Sequence, residues 1–544
     1  MRNGAVHYGY DVASLARRFM LEPGSSGTQK ALRRYLAGER LPLESLQYLA
    51  CGGGRRVGIY DPRTGRKIRE DKGADANYAA SKPILLPVAA AAFDLEVANR
   101  QNIGRGAGAN AEIMTTVFEE ARAAIGKFLG YDPAHHGVVF TANTTDGLNL
   151  LIALATRDPK CFFVGSLAAH HSSMLPARET NRFSFFDLKP NGTYDLDSLE
   201  SKLNFCQGLG FRPIVCIESA SNVTGIKNPV EKVCWLADKY GAKVFIDHAQ
   251  GASSMKINLS ELPGQVFVAF SGHKTYARDG SGAVVGPVEF FKGRAVKPGG
   301  GAITGVTKLE GDIYYAEPAH NLEAGTPAYI AQASLGKAVI VLEEAGMAEI
   351  AAREEVLTRG LMAGLLNFDW LHVLGESNLD VVPRGPVISF TVDGVDGQPI
   401  PPGFLAKALE VFYGVESRPG QFCAHPYIYH LLNVSDNDAH VHALKHVARG
   451  RAGCAALPGD QNYHALRFSF GFPTRSWQLG ALPKMLAAVR EMWPDQSVLS
   501  LDQARGEFFI PGQPRVLTSG TFSLYHRGPR PKLTADHHPP IITV

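Results

Sequence analysis

A carboxylate and an amine follow two apolar segments at a spacing that could serve one reaction centre. Asp247 follows the apolar run at residues 244–246, and Lys274 follows the run at 266–270 within a Ser-Gly-His-Lys turn. Neighbouring strand ends would bring the two groups together. The pair suits pyridoxal phosphate (PLP), because a lysine amine forms an imine with this cofactor and an aspartate keeps its pyridine nitrogen protonated, so that the ring accepts electrons. Taken without further motifs, the same two residues are more typical of a surface ion pair.

Three further segments could complete such a site. Thr144 and Thr145 begin a predicted helix after a strand, where hydroxyls and free backbone amides can bind a phosphate or simply cap the helix. His170 follows another strand, and its imidazole could stack on a flat cofactor or serve a structural role. Asn222 follows the run at 214–217, so its amide could face the same crevice.

The segments that must position these residues alternate in a βαβ rhythm from about residue 75 to 287. Short runs rich in β-branched and aromatic residues lie at 138–140, 161–164, 214–217, 244–246, 266–270 and 283–285. With helical stretches between them, the runs predict a mostly parallel sheet covered by helices on both faces. Ligands of such sheets bind at the carboxyl ends of the strands, which is where Asp247 and Lys274 fall.

Composition and charge narrow the classes of function. The chain has 544 residues, 45% of them hydrophobic and 20% charged, and its net charge of +3 argues against a nucleic-acid surface. Seven scattered cysteines without a Cys-x-x-Cys pair argue against a disulfide framework and a zinc cluster. No apolar run approaches the roughly 18 residues of a membrane span. We therefore expect a cytoplasmic protein, in which the basic amphipathic stretch at 13–20 is a surface helix rather than a transit peptide.

The chain divides into segments of different character. Residues 1–73 are predicted to be an accessory N-terminal segment, 74–345 a PLP-binding large domain, and 346–495 a smaller α+β domain. A long helix is expected at 328–345. The stretch 496–544 is rich in Pro, Gly and His, which predicts an extended C-terminal arm.

A series of motifs occurs in one order along the chain. They are NYAAS (77–81), NTTDGLNL, AHHSSMLP, SNVTG-x-x-NPV, DHAQ, SGHK, GGGAI (299–303), EAGTP and SRPGQFCAHP. From about residue 75 to about 489 the chain resembles class V aminotransferase-fold enzymes, and most of all the branch of cysteine desulfurases and selenocysteine lyases. The resemblance implies PLP-dependent fold type I, an α/β fold with a mostly parallel seven-stranded sheet and a smaller α+β C-terminal domain. It also implies a homodimer with shared active sites.

The resemblance assigns a role to most of these motifs. Lys274 would carry the imine, Asp247 would pair with the pyridine nitrogen, and Gln250 would hydrogen-bond the phenolic oxygen. His170 would stack on the ring and take part in catalysis. The residues that would hold the phosphate are Thr144, Thr145, Ser271 and His273, with Thr326 reaching the phosphate of the neighbouring subunit. The residues that would bind the substrate are Asn222, Arg418 and Arg467, the last because the planar guanidinium matches a carboxylate.

Cys423 decides the reaction. It lies in SRPGQFCAHP, at the position where cysteine desulfurases of the branch that the chain resembles have their nucleophile. A thiolate there would take the sulfur of a PLP-bound cysteine and leave alanine and an enzyme persulfide, and Arg418 or His425 could lower its pKa. The alternative is that Cys423 is a small buried residue with a packing role. Cys454 is a weaker candidate for relaying sulfur.

Three features depart from the pattern of the branch. Ala169 replaces a usual glutamate, and Pro419 and the pair at 421–422 replace a more polar run before the cysteine. An unusually long stretch of 43 residues separates the cysteine of this motif from the arginine of LRFSFG. The insert at about 435–464 carries four histidines, namely His440, His442, His446 and His464. Because helix positions i and i+2 face apart, a solvated helix is favoured there over a metal site.

Together these observations predict a homodimeric PLP enzyme that converts L-cysteine, or a close sulfur or selenium analogue, to L-alanine and transfers the sulfur to Cys423. The alternatives on the same scaffold are a C–S lyase, an epimerase or an aminotransferase of a specialised pathway. A rival of another class is a non-catalytic PLP-fold scaffold whose terminal segments dock a sulfur acceptor. A sulfur-acceptor protein is the predicted partner of the enzyme, and neither nucleic acid, membrane nor metal is expected.

Overall fold

The computed structural model describes most of the chain. It covers residues 25–51, 56–60, 67–72, 74–104, 108–308, 311–448, 459–493, 499–502 and 507–509. The amphipathic stretch predicted at 13–20, Cys454 and most of the arm predicted at 496–544 lie outside these ranges.

Helices and strands alternate through the first half of the chain. The α-helices are α1 (Ser26–Leu36), α2 (Leu43–Leu46), α3 (Leu86–Ala98), α4 (Ala109–Phe128), α5 (Thr144–Ala155), α6 (His171–Arg178), α7 (Leu196–Gly208), α8 (Val230–Lys239), α9 (Tyr329–Ala345), α10 (Met347–Leu365), α11 (Pro402–Tyr413), α12 (His425–Leu431), α13 (Asp436–Ala448) and α14 (Ser476–Arg490). The strands are β1 (Arg56–Tyr60), β2 (Lys67–Lys72), β3 (Ala74–Asp75), β4 (His136–Thr141), β5 (Cys161–Ser166), β6 (Phe183–Phe186), β7 (Arg212–Glu218), β8 (Lys243–Asp247), β9 (Gln265–Ser271), β10 (Gly282–Pro287), β11 (Ile303–Val306), β12 (Ile313–Tyr315), β13 (Leu371–Val373), β14 (Val387–Val392), β15 (Val415–Glu416), β16 (Arg418–Gly420), β17 (Ala465–Ser469), β18 (Ser500–Asp502) and β19 (Glu507–Phe509).

A seven-stranded sheet with the order β4-β10-β9-β8-β7-β5-β6 forms the centre of the fold. The pairs β9–β8, β8–β7, β7–β5 and β5–β6 are parallel, whereas β10 runs antiparallel to both β9 and β4. The six apolar runs of the sequence fall in β4, β5, β7, β8, β9 and β10, and β6 is an edge strand that those runs did not include. The prediction of an α/β fold with a mostly parallel sheet is confirmed.

Helices cover both faces of this sheet. Val244 and Ile246 of β8 belong to a core shared with α4, α7, α8 and α9, while the intervening Phe245 belongs to a second core shared with α5. Successive side chains of a strand point to opposite faces, so these two cores lie on opposite sides of the sheet. Strands buried on both faces read as continuous apolar runs, which is why the sequence revealed them.

A smaller antiparallel sheet follows in the second half of the chain. Its strand order is β13-β14-β17-β16, and it packs with α10, α11 and α14 around a core that contains Phe390, Phe404 and Phe468. Ala76 of the segment before α3 also joins this core. The sheet matters for function because β16 carries Arg418 and β17 carries Arg467.

The long helix expected at 328–345 is α9, which begins at Tyr329 and ends at Ala345. It packs against α3 and α4 beside the central sheet. Among the described helices, none is long and apolar enough to cross a membrane.

Candidate active site

The carboxyl ends of β7, β8 and β9 open into a cavity of about 260 Å³. Glu218 and Asp247 are register partners on β7 and β8, and Ser271 ends β9 just before the turn that carries Lys274. The predicted site residues that line this cavity are Thr144, Thr145, His170, Asn222, Asp247, Gln250, Ser271, His273, Lys274, Arg418 and Arg467. The cavity is thus bounded by one edge of the central sheet and by strands β16 and β17 of the smaller sheet.

Lys274 presents an amine that is free to react. It lies in the single 3₁₀ turn at Gly272–Lys274, and within the described ranges its Nζ makes no hydrogen bond or ion pair. Burial lowers the pKa of Lys274; the Asp247 carboxylate opposes this shift, and the guanidinium groups of Arg467 and Arg418 add to it. A lowered pKa increases the fraction of neutral amine, which is the form that attacks a carbonyl.

Asp247 is a buried carboxyl at the floor of the cavity. Its Oδ1 accepts a hydrogen bond of 2.9 Å from the backbone N–H of Ala249. Burial raises the pKa of Asp247, and the Ala249 N–H and the charge of Lys274 act in the opposite direction. The carboxyl can therefore hold a positive charge close to it, such as that of a protonated pyridine nitrogen.

Hydroxyls gather at the N-terminus of α5. Asn143 is the N-cap residue of this helix, and its side chain accepts a backbone hydrogen bond of 3.0 Å. The backbone N–H of Thr144 donates to Ser271 Oγ over 2.8 Å, and the Thr145 and Ser172 hydroxyls are 2.6 Å apart. Free amides of a helix start together with hydroxyls suit a phosphate. Ser172 belongs to the motif AHHSSMLP, but its contact with Thr145 could not be predicted from that motif.

His170 is held in its neutral form beside this corner. Its Nδ1 accepts a hydrogen bond of 3.1 Å from the backbone N–H of Ser172, which leaves the proton of the neutral ring on Nε2. Burial lowers the pKa of His170 to about 3. Burial also lowers the pKa of His273, which lines the same cavity. A neutral imidazole can lie against an aromatic cation without charge repulsion.

Two arginines face the cavity from the smaller sheet. Arg418 and Arg467 are register partners on β16 and β17, and neither forms an ion pair within the described part of the chain. Arg467 donates to Asn222 O (2.9 Å) and to Asn77 Oδ1 (3.3 Å), and its guanidinium lies 4.7 Å from the ring centre of Phe422. Burial and the charge of Arg418 lower the pKa of Arg467 to about 9. A buried guanidinium group beside a partly exposed one, neither of them paired with a carboxylate in the described part of the chain, favours an anionic ligand.

The segment that carries Cys423 is tied to the cavity wall by backbone contacts. Phe422 and Cys423 have φ angles of +53° and +57°, a left-handed conformation that is strained for residues other than glycine. The Asn222 amide donates to Phe422 O over 2.6 Å, and the His171 backbone N–H donates to Cys423 O over 2.8 Å. Asn222 therefore orients this turn, a role beyond the substrate binding that its motif predicted. Cys423 is partly exposed and is not among the residues that line the cavity.

Thr326 lies away from this cavity. It lines a second cavity of about 490 Å³ together with Gly300, Gly301, His320 and Glu323. The role of Thr326 at the site of a neighbouring subunit stays a prediction.

The histidine-rich insert differs in part from its prediction. α13 is exposed over most of its surface, including His440, but the expectation of a solvated helix is wrong at His442, which is buried. The reason is a tertiary contact: the Tyr429 hydroxyl of α12 lies 3.1 Å from His442 Nδ1. His464 is also buried, and the side chain of His446 is outside the described part. Within the described ranges, no group of three or more His, Cys, Asp or Glu residues could hold a metal ion.

Sequence reasoning missed two further contributors to the cavity. Gln250 Nε2 donates to the carbonyl of Ala79 over 2.8 Å, so that the NYAAS motif forms part of the cavity wall. Glu218 lines the cavity next to Asp247. The only sequence signal for Glu218 was its place at the end of an apolar run.

The arrangement as a whole fits PLP. An amine without a partner, a buried carboxyl, a hydroxyl-rich helix start and a neutral imidazole surround one cavity. The amine matches the aldehyde of that cofactor, and the carboxyl matches its pyridine nitrogen. The helix start matches its phosphate, and the imidazole matches the face of its ring. The adjoining pair of guanidinium groups matches the carboxylate of an amino acid.

Comparison with known proteins points the same way. The aminotransferase class-V family matches residues 77–476 of the chain. A probable cysteine desulfurase of Streptomyces coelicolor is 30% identical over 337 residues, which cover 60% of this chain and 77% of that protein. A probable cysteine desulfurase of Pseudomonas aeruginosa is 32% identical over 339 residues, which cover 61% of this chain and 79% of that protein.

Solved structures extend the likeness to the fold. The apo structure of cysteine desulfurase from Thermococcus onnurineus has a TM-score of 0.64 at 25% identity, and the match covers 77% of this chain and 94% of that one. A cysteine desulfurase of Escherichia coli has a TM-score of 0.62 at 21% identity, covers 77% and 95% of the two chains, and supports the fold alone. The predicted fold type I is therefore confirmed.

Proposed function

Because the chain belongs to the class V aminotransferase family of PLP-dependent enzymes, in its cysteine desulfurase branch, we propose that it removes sulfur from L-cysteine. The C–S bond of the substrate breaks, an S–S bond forms to the thiol of Cys423, and Cβ receives a proton. L-Cysteine and the thiol then give L-alanine and an enzyme persulfide, and the atoms balance without an added oxidant.

The observation that carries this proposal is the turn at Phe422 and Cys423. Hydrogen bonds from Asn222 and His171 hold its two carbonyls against the cavity wall, at 2.6 and 2.8 Å. A strained left-handed turn fixed from both sides is typical of a functional position rather than of simple packing. The partial exposure of Cys423 also leaves a persulfide accessible to an acceptor.

The remaining side chains supply binding and proton transfer. PLP, when bound, provides the electron sink that makes the substrate Cα acidic. Lys274 Nζ takes the proton from Cα and returns a proton to the product, a role for which its lowered pKa suits it. Arg467, with Arg418 beside it, binds the substrate carboxylate. Asp247 would hold the positive charge of the pyridine nitrogen, and His170 would cover the ring.

We further propose a homodimer that works in a reducing compartment such as the cytoplasm and passes its sulfur to an acceptor protein. The location of Thr326 supports the dimer, because this residue lines a different cavity from the one that contains Lys274. The retained Lys274, Asp247 and Arg467 argue against a non-catalytic scaffold.

A C–S lyase is the second candidate. It is favoured by one observation, namely that Cys423 does not line the cavity that contains Lys274. A lyase would release pyruvate, ammonia and sulfide from L-cysteine and would need no thiol of the protein.

Product analysis separates the two candidates. The enzyme is incubated with L-cysteine and a thiol reductant, and alanine, pyruvate, ammonia and sulfide are quantified for the wild type, Cys423→Ala and the control Cys51→Ala. Equal amounts of alanine and sulfide, lost only in Cys423→Ala, support the desulfurase. Pyruvate and ammonia from all three proteins would replace it with the lyase.

A further inference from the structure

A second carboxyl lies directly beside Asp247 at the floor of the cavity. Glu218 ends β7 as Asp247 ends β8, and the two are register partners in a parallel pair. Such partners point to the same face, on strands about 4.8 Å apart. Both side chains line the cavity, and the residues are only 4% and 6% exposed.

The two carboxyls differ in what surrounds them. Asp247 has the Ala249 N–H and the nearby charge of Lys274. Glu218 forms no ion pair within the described ranges; its Oε1 receives a long hydrogen bond of 3.4 Å from Asn228, and its Oε2 is buried without a partner.

The other groups around Glu218 do not supply a balancing charge. The Tyr194 hydroxyl donates to the backbone carbonyl of Glu218 over 3.2 Å. Tyr427 also lies close enough for Glu218 to raise its pKa, after the larger effect of burial. Beyond Tyr427, the guanidinium of Arg384 donates to Glu376 O over 2.6 Å. Burial keeps the adjacent His248 neutral by lowering its pKa to about 4.

Of the cations that line the cavity, Lys274 acts on Asp247, whereas Glu218 has no ion pair within the described ranges. Two carboxyls at this separation in a medium of low polarity do not both ionise, because their negative charges repel each other. A pair of this kind therefore retains one proton. The proton belongs on Glu218, because Asp247 has the stabilising N–H and the cation. Burial, and to a smaller extent the charge of Asp247, raise the pKa of Glu218 to about 8, although hydrogen bonds from Tyr194 and Asn228 act in the opposite direction.

We propose that Glu218 is a positioning residue that stays a neutral carboxylic acid in the holoenzyme and donates a hydrogen bond to the Asp247 carboxylate. Protonation turns the unpartnered Oε2 from an acceptor into a donor, and the acceptor that the sheet register places beside it is Asp247. The donated hydrogen bond keeps Asp247 ionised, so that the sheet edge offers a single negative charge to the pyridine nitrogen. This inference rests on PLP binding at the sheet edge and is independent of the fate of the sulfur.

The position of the proton can be measured directly. An infrared difference spectrum between wild-type holoenzyme and Glu218→Gln at neutral pH should contain the C=O band of a protonated carboxyl, which the variant lacks. Absence of that band would overturn the proposal. This measurement needs only the near-isosteric variant, whose fold is checked by circular dichroism.

The positioning role is tested by cofactor affinity, measured from the visible absorbance when PLP is added back to the PLP-free protein. Glu218→Met removes the donor at similar volume and should weaken PLP binding by about tenfold or more, as for loss of a hydrogen bond to a charged group. Glu218→Gln keeps an N–H donor and should bind PLP more tightly than Glu218→Met. Equal losses in both variants would mean that the charge of Glu218 is required, and an unchanged affinity of Glu218→Met would mean that it positions nothing; either result overturns the proposal. A holoenzyme that forms pyruvate would remove the desulfurase proposal and leave the infrared result intact.

Discussion

The buried ion pair between Lys82 and Glu354 should control the stability of the cavity wall. Lys82 Nζ lies 3.7 Å from Glu354 Oε1, and the two side chains are 4% and 1% exposed. Lys82 also donates to Ser253 Oγ over 2.5 Å and lies 4.9 Å from the ring centre of Tyr276. The pair joins α10 to the segment that begins with the cavity-lining Ala79, so its loss disturbs the site as well as the core.

The size of the effect follows from burial. At 3.7 Å the attraction is about 4–5 kcal/mol with an effective dielectric constant of about 20, and it is opposed by the cost of desolvating both charges. Removing one partner leaves the other buried and uncompensated, so Lys82→Met or Glu354→Leu should each lower the free energy of unfolding by about 3–5 kcal/mol. The double variant removes both charges and should lie within about 1–2 kcal/mol of the wild type.

Urea unfolding followed by circular dichroism, at one saturating PLP concentration, measures these differences. The control is Lys239→Met, which breaks the shorter 2.7 Å pair with Glu200 between side chains that are 66% and 39% exposed, and it should leave stability unchanged. Two results would refute the reasoning. One is single variants that lose no more free energy of unfolding than this control, and the other is a double variant whose loss equals the sum of the two single losses.

Three other variants test the site. Lys274→Ala should abolish the visible absorbance of lysine-bound PLP and its fixation by borohydride, whereas a PLP label that borohydride still attaches to the protein would contradict the assignment. Arg467→Lys should raise KM for the amino acid by about tenfold or more, because the ammonium cannot form the two parallel hydrogen bonds of the guanidinium; an unchanged KM in steady-state kinetics would count against carboxylate binding. Glu218→Gln should become more stable than the wild type as pH rises from 5 to 8. The folded protein retains the Glu218 proton up to about pH 8, whereas the unfolded chain releases it near pH 4.5. The stability that this proton gives the wild type is therefore complete below pH 4.5, and it falls by up to about 5 kcal/mol as the pH rises from 4.5 to 8. Parallel stability curves of the two proteins in urea would contradict the raised pKa.

Much of the central sheet could be predicted because its strands are buried on both faces. The runs at 244–246 and 266–270 are continuously apolar for that reason, and the polar residues that end them mark the sheet edge where ligands bind. β6 (Phe183–Phe186) escaped because it is a short edge strand in which the first three of the four side chains are only partly buried.

The missed parts of the site depend on contacts between distant segments. Glu218 at a strand end reads as a solvated carboxylate until the sheet register places it beside Asp247. The burial of His442 likewise comes from Tyr429 on another helix, which helical periodicity cannot reveal. The amide of Asn222 could be predicted to face the crevice, but not to bond the turn before Cys423.

The central claim is tested most directly by mass spectrometry of the enzyme after L-cysteine is added without a reductant. The desulfurase account predicts that, once free thiols and persulfides are alkylated, the peptide containing Cys423 carries one additional sulfur atom, in an amount equal to the alanine formed in a single turnover. The control peptide containing Cys51 should carry none. A Cys423 peptide without added sulfur, in a sample that has turned over L-cysteine, would contradict the account.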